Sequence, residues 1–470
     1  MLRMAPSLQR IIAAALVAVP STARSQVLAP AERAKIDSAV AEILRNTGAP
    51  SASIAVVRGG AIVYEHAYGN ARVDPVVPAT TAMRYSIGSV TKQFTATAIL
   101  LLAEAGELSL DDKVAKWFPA LTRADEISIR QLLSMTAGYQ DFWPQDYVFT
   151  DMQHAITARA IMGRWAGKPL DFDPGTRWQY SNTNYVIAAA IAEQVAGIRL
   201  MDFMRQRIFM PLDMKSVADV DAGPLSPQDA GPYLRHAIGP LRLAPKEGAG
   251  WLFGAGHLGM TAHDLALWDI SVINRSLLRS ESYQAQQTDM LLGNGLSTRY
   301  GLGVNVGQAF GTRRLSHGGA VSGYTTSNDI YPDQKAAIVV FTNIYPGAAG
   351  APGQIAGRIA EILFAQVDSA SRAARELARR IYDGLAKAEL DTTLFTDNAK
   401  AYFTREVIAD YAASLGPLGA PTEFASTGES LRGGMTIRSY RIRAGRLVLS
   451  LTTMTLPDGK IEQYLIERSG

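Results

Sequence analysis

The chain contains no cysteine, which excludes disulfides, thiol catalysis and a lipid-modified N-terminal cysteine together. Histidine is scarce. The six present are scattered, and neither His257 nor His263 has a third ligand type at zinc spacing, so no metal and no cofactor is expected. No Gly-x-Ser-x-Gly elbow occurs, which argues against an α/β-hydrolase. Internal repeats and low-complexity tracts are absent, and 46 basic residues face 43 acidic ones. That near-balance gives no support to nucleic-acid binding or to adhesion to anionic membranes.

The small positive surplus sits at the N-terminus. Arg3 and Arg10 flank a polar start, Ile11 to Val19 is a compact apolar run, and Ala23-Arg-Ser25 resembles a small-x-small cleavage site. The pattern is that of an export signal over residues 1–25, cut near Ser25, and its apolar run is too short to span a bilayer. Residues 1–25 hold Arg3, Arg10 and Arg24 and no acid, so the formal charge of +3 falls to zero without them. A cysteine-free exported chain fits secretion or a bacterial periplasm, where stray thiols would be oxidised.

A length of 470 residues accommodates one large domain and a smaller one. Pro30 to Asn46 has apolar residues at helical spacing, with Pro30 near its start and Gly48 past its end. Ala52–Val57 and Ala61–Tyr68 read as a hairpin around Arg58-Gly-Gly60. Phe94 to Ala105 is nearly all apolar, hence a buried helix. Residues 110–275 read as helical pieces and loops. Strand signals return near Tyr300–Val306, Leu315–Tyr324 and Lys335–Thr342, followed by a helix at Gln354–Gln366. The expected fold class is α+β: an antiparallel sheet covered by the two terminal helices, with a helical region inserted beside it. Residues 26–366 form this domain. Residues 367–470 read as an accessory α+β domain, with a charged helix Ser369–Ala388 and strands near Met435–Arg443, Leu447–Met454 and Lys460–Glu467.

Chemistry enters at Ser89, which has Lys92 three positions on. If a helix starts here, the hydroxyl and the amine share one face, and a desolvated lysine can be neutral enough to take the serine proton. Ser-x-x-Lys alone arises by chance in a chain of this length. Two further motifs follow in order: Tyr180-Ser-Asn182 and His317-Gly-Gly319, the latter on a strand with Ala320 next. A phenol held near an ammonium can have its pKa lowered and shuttle protons. The Asn182 amide can hold a substrate carbonyl. Gly318 and Gly319 let a substrate backbone lie close, and the N–H groups of Ser89 and Ala320 can converge on an oxyanion.

Ser-x-x-Lys, Tyr-x-Asn and a Lys/His-x-Gly strand in this order resemble the class C β-lactamase and penicillin-recognising serine hydrolase family. Gly106-Glu-Leu-Ser-Leu-Asp-Asp112, Leu132-Leu-Ser-Met-Thr-Ala-Gly138, Pro174-Gly175 and Gly323-Tyr324 are similar to its landmarks, and the likeness covers residues 33–366. The resemblance implies a β-lactamase/transpeptidase-like fold and a hydrolase acylated on Ser89. Lys92 would be its proton partner, with Tyr180 as base for acylation and acid for the leaving group. Which of the two takes the first proton stays open in the sequence. Asn182, His317, Gly318 and Gly319 would line the substrate cleft, with Ser89 and Ala320 as the oxyanion donors.

Two departures shape the expectation. His317 stands where true class C β-lactamases resemble one another in having lysine, and a mostly neutral histidine is poorly suited to hold a β-lactam carboxylate. Met135 replaces a histidine common in relatives, in a loop expected near the cleft mouth. Family members with histidine at the third motif resemble esterases, D-amino-acid amidases or peptidases, so the resemblance implies cleavage of a D-amino-acid peptide, amide or ester. True β-lactamase activity is the alternative, and a catalytically silent cell-wall-binding protein the rival of another class. Tyr68-Gly-Asn70 also fits Tyr-x-Asn but reads as a turn. Gly254-Ala-Gly-His-Leu-Gly259 spells a dinucleotide-binding pattern without its β-α-β context, and reads as a glycine-rich loop on the cleft wall. The tail is similar to C-terminal segments of some bacterial family members, which suggests a cone-like curved sheet of the nuclear-transport-factor type.

Overall fold

The computed structural model describes residues 27–145, 147–364 and 369–468. The export signal at 1–25 and the domain boundary at 366/367 lie outside these residues. Helix α1, Pro30–Thr47, starts on Pro30 at its first turn and carries Glu32, whose side chain accepts from the Ala29 backbone at 2.8 Å. It stops at Gly48, whose φ of 69° lets its N–H close on Leu44. Strands β1 (Ser51–Arg58), β2 (Ala61–Val73) and β3 (Val76–Pro78) follow. After the buried helix α2, Thr91–Glu104, come α3 (Asn182–Ala196) and α4 (Ala262–Asn274). Strands β4 (Asn305–Ala309), β5 (Thr312–Val321), β6 (Tyr324–Tyr331) and β7 (Ala336–Thr342) and helix α5 (Ala351–Phe364) complete the unit.

The seven strands form one sheet in the order β3-β2-β1-β7-β6-β5-β4, with the β1–β2, β1–β7, β7–β6, β6–β5 and β5–β4 pairs antiparallel. The side-chain period of two splits its core into two layers. Ile54, Val56, Ile338 and Val340 face α1 and α5 through Ile36, Val40, Ile355 and Ile359. Ala55, Val57, Val339 and Phe341 face the helical region through Phe94, Leu265 and Trp268. Thr91 to Leu102 of α2 are all buried. Its fully buried large apolar residues each contribute about 1.5–3 kcal/mol, so the start of α2 is a rigid mount.

Several expected elements differ. Residues 315–324 form not one strand but parts of β5 and β6, which turn at Ser322-Gly323, where Gly323 has a φ of +83°. Tyr300 precedes strand β4 instead of beginning it. Tyr68-Gly-Asn70 lies inside β2, not in a turn: Gly69 (φ +72°) lets the strand kink past the carbonyl of Pro50 and continue to Val73. The tail holds helix α6 (Ser369–Leu385) and four strands, one more than expected: β8 (Glu423–Arg432), β9 (Met435–Ala444), β10 (Leu447–Thr455) and β11 (Ile461–Arg468). They form a separate antiparallel sheet with its own core of Ile381, Tyr382, Tyr440, Leu451 and Tyr464. The unbroken run Ser426-Thr-Gly-Glu-Ser430, with no apolar residue, hid β8 from a hydrophobicity reading. Among the described residues no helix is long and apolar enough to cross a membrane.

Candidate active site

Ser89 sits half-buried on a 3-10 turn, Gly88–Val90, that runs directly into α2. The turn abuts strand β5. A Cβ on Gly88 (φ +50°) would lie 2.7 Å from the backbone nitrogen of Ala320, so glycine permits the close approach of the Ser89 turn to β5. Gly319 is as tightly placed, since a methyl group there would collide with the carbonyl oxygen of Ile87. Gly318 is exposed and has room. Strand β4 pairs with β5 only from Thr312 to Ser316, so beyond it, from His317 to Val321, β5 is paired on the β6 side.

Lys92 is wholly buried. Its Nζ lies 2.9 Å from Ser89 Oγ, 2.7 Å from Asn182 Oδ1 and 3.0 Å from the carbonyl oxygen of Ala255. Burial pushes its pKa down to about 7, against the opposing pull of the Asp141 carboxylate. The Tyr180 ring centroid is 4.9 Å from the same Nζ. Its phenol does not behave as expected from an ammonium neighbour: burial pushes its pKa up, only partly opposed by a hydrogen bond with Ser89. A phenol taken out of water resists ionisation, and the Asp141 carboxylate adds to that resistance. The arrangement therefore places an amine that titrates near neutral pH and a protonated phenol around one hydroxyl.

Asn182 begins α3 and bridges Lys92 to Asp141. Its backbone N donates to Asp141 Oδ1 at 3.0 Å, and its Nδ2 donates to Oδ1 and Oδ2 at 3.2 and 3.3 Å. Asp141 also accepts from the Trp143 backbone at 3.1 Å. Sequence reasoning missed Asp141; lying 41 residues from Asn182, its only local signal is the loop after Gly138.

His317 is 5% exposed. Its Nδ1 lies 2.6 Å from the carbonyl oxygen of Gly318, which can only accept, so Nδ1 carries the proton. Nε2 then accepts from the Tyr300 hydroxyl at 2.9 Å. Burial, reinforced by Lys92, lowers the imidazole pKa to about 4. Tyr300 was also missed by sequence reasoning. It packs against Trp178, with the rings tilted by 55° and their centroids 5.7 Å apart.

A further placement corrects the sequence reading. Met135 is not at a cleft mouth but fully buried, with a φ of +63°. It lies beneath the second motif, its carbonyl accepting from Gln179 N at 3.0 Å and its sulfur from Ser181 N at 3.4 Å. Gly254–Gly259 borders the site from a buried position, with the Ala255 carbonyl 3.0 Å from Lys92 Nζ. It runs behind the Ser89 turn, where the Leu258 carbonyl accepts from Ile87 and His257 is 2% exposed.

The family model described as Beta-lactamase matches residues 36–360. The chain belongs to the beta-lactamase family of serine hydrolases. Penicillin-binding protein 4* of Bacillus subtilis (strain 168) is 28% identical over 306 residues, 62% of this chain and 67% of that protein. A D-aminopeptidase of Brucella anthropi is 26% identical over 322 residues, 67% of this chain and 60% of that protein. The matches thus leave a third or more of those relatives uncovered. The octameric penicillin-binding protein homologue from Pyrococcus abyssi aligns with a TM-score of 0.63 at 21% identity, over 93% of this chain and 100% of that one. That likeness is one of fold, β-lactamase/transpeptidase-like with a second, smaller sheet.

Proposed function

We propose that the protein is an exported serine hydrolase that cleaves amide or ester bonds through an acyl-enzyme on Ser89. The observation that carries this is Lys92: a fully buried amine 2.9 Å from the Ser89 hydroxyl, with its other contacts held by two oxygen atoms. At neutral pH much of it is unprotonated, whereas burial keeps Tyr180 protonated. Lys92 is thus the base that takes the Ser89 proton as Oγ attacks the substrate carbonyl. The resulting oxyanion lies against the N–H groups of Ser89 and Ala320. As the carbonyl–leaving-group bond breaks, the Tyr180 phenol donates its proton to the departing nitrogen or oxygen and is reprotonated by the Lys92 ammonium. Water then attacks the ester with Lys92 again as base, and Ser89 regains its proton. Asn182, His317, Gly318 and Gly319 line the cleft, and the β5 edge beyond β4 accepts an extended substrate backbone.

His317 supports a substrate without a carboxylate at the third motif. A neutral imidazole with both nitrogens engaged has no hydrogen to donate to one. Amides and esters of small acyl groups or D-amino acids are preferred over β-lactams, in keeping with relatives named D-aminopeptidase. Export, with a secreted or periplasmic location, rests on residues 1–25, and the division of the chain at 366/367 is part of the same reading.

Labelling with a fluorophosphonate tests the chemistry: the wild type labels and Ser89→Ala does not. No labelling of either protein would favour a silent binding protein. A substrate panel tests the preference. Rapid turnover of a chromogenic cephalosporin, with no activity on short acyl esters or D-amino-acid amides, would reverse it.

A further inference from the structure

A neutral amine has two N–H groups and one lone pair. Around Lys92, Asn182 Oδ1 and the Ala255 carbonyl can only accept, at 2.7 and 3.0 Å. They consume both N–H groups and leave the lone pair for the Ser89 hydroxyl. This holds only while Asn182 turns its oxygen toward Lys92. An amide is nearly symmetric in shape. Reversed, it would present N–H groups to the amine and draw the lone pair away from Ser89.

Asp141 removes that ambiguity. A carboxylate can only accept, and it takes both the backbone N and the Nδ2 of Asn182, together with the Trp143 N–H. We propose that Asp141 is a positioning residue that locks the Asn182 amide and thereby aims the Lys92 lone pair at Ser89. The proposal rests on the roles of Ser89 and Lys92 given under Proposed function. Its logic is that of a hydrolytic triad, in which a buried carboxylate orients the base without touching the substrate.

A second consequence is electrostatic. The titratable groups facing the amine are Tyr180, Tyr185, His317 and Asp141. Burial raises both phenol pKa values and lowers that of the imidazole, so these three stay neutral near pH 7. Asp141 supplies the charge: burial raises its own pKa, the N–H groups of Trp143 and Asn182 and the Lys92 amine favour its carboxylate, and the carboxylate in turn favours the ammonium form of Lys92. Tyr180 in turn feels Asp141, which further resists its ionisation.

The test uses the full chain and the rate of fluorophosphonate labelling from about pH 5 to pH 9, which needs no knowledge of the substrate. Asp141→Asn keeps an acceptor toward Asn182 and removes the charge. Its acid limb, set by Lys92 deprotonation, should move to lower pH by about half a unit or more, since one pH unit corresponds to a tenfold change in the free amine. Asp141→Ala releases the amide, and its plateau should fall by roughly 10- to 100-fold. A merely structural residue would leave the limb where the wild type has it. If the Ala variant does not fold, the limb of the near-isosteric Asn variant decides. An unmoved limb, or a plateau within about twofold of wild type in a folded Ala variant, overturns the proposal. Failure of the wild type to label would instead sink the acyl-enzyme reading itself.

Discussion

Tyr300 donates a hydrogen bond of 2.9 Å to Nε2 of His317, and the opposite ring nitrogen is tied to the Gly318 carbonyl. The imidazole is thereby fixed in one tautomer with no free donor. A lysine at this position would bring three donors and a charge. His317→Lys should raise acylation by a carboxylate-bearing β-lactam at least about tenfold relative to a neutral ester. A second ammonium beside Lys92 should lower the lysine pKa further and move the acid limb of ester turnover to lower pH. The ratio of kcat/KM values for the two substrates is the measurement, and an unchanged ratio would show that position 317 does not select against carboxylates.

Two adjacent glycines should respond differently to alanine. At Gly319 the added methyl would collide with the Ile87 carbonyl and the Thr326 hydroxyl, whereas at Gly318 the nearest atom is 3.7 Å away. Gly319→Ala should destabilise the protein by about 2 kcal/mol or more and displace the Ser89 turn. Gly318→Ala should leave stability within about 0.5 kcal/mol and act on KM, since that face of β5 is open. Thermal unfolding and labelling rates together check both. Equal destabilisation of the two variants would contradict the packing described.

Buried bases also leave a mark on stability as pH changes. His317 has a folded pKa of about 4 against an ordinary value of 6.5. Between these pH values the unfolded chain binds a proton that the folded chain refuses, so stability falls as pH drops from about 6.5 to about 4, by roughly 3 kcal/mol in full. Lys92 behaves likewise between about 7 and 10.5, where its contribution makes stability rise with pH. His317→Gln should flatten the first slope and Lys92→Met the second, as read from urea unfolding across pH. Slopes identical to wild type would mean that neither group is desolvated as described.

Much of the fold was legible because its elements obey local rules. The Pro30 and Gly48 signals bracket α1, and the β1–β2 hairpin follows from two apolar runs around Arg58-Gly-Gly60. What escaped was set by context. Strand β6 contains Thr325, Ser327, Asn328 and Asp329, polar residues that burial tolerates because partners such as Asp269 and Arg314 come from elsewhere in the chain. Tyr68-Gly-Asn70 read as a turn because glycine usually marks one, yet here it serves a kink in a continuing strand. Met135 was misplaced for a similar reason, since only packing shows a loop residue to be buried against Gln179, Ser181 and Asn184.

At the candidate site, local sequence was enough to name most of the residues. Ser89 and Lys92 are neighbours through the i, i+3 geometry of one turn, and Tyr180, Asn182 and His317 announce themselves as motifs in order. Their protonation states and orientations come from long-range packing. Whether Lys92 is a base depends on desolvation, and its orientation depends on Asn182, Asp141 and Ala255, which meet across separations of up to 163 residues. Whether His317 carries charge depends on Tyr300 and on burial. Protonation and hydrogen-bond direction are properties of an environment, and that environment forms only when distant segments pack together.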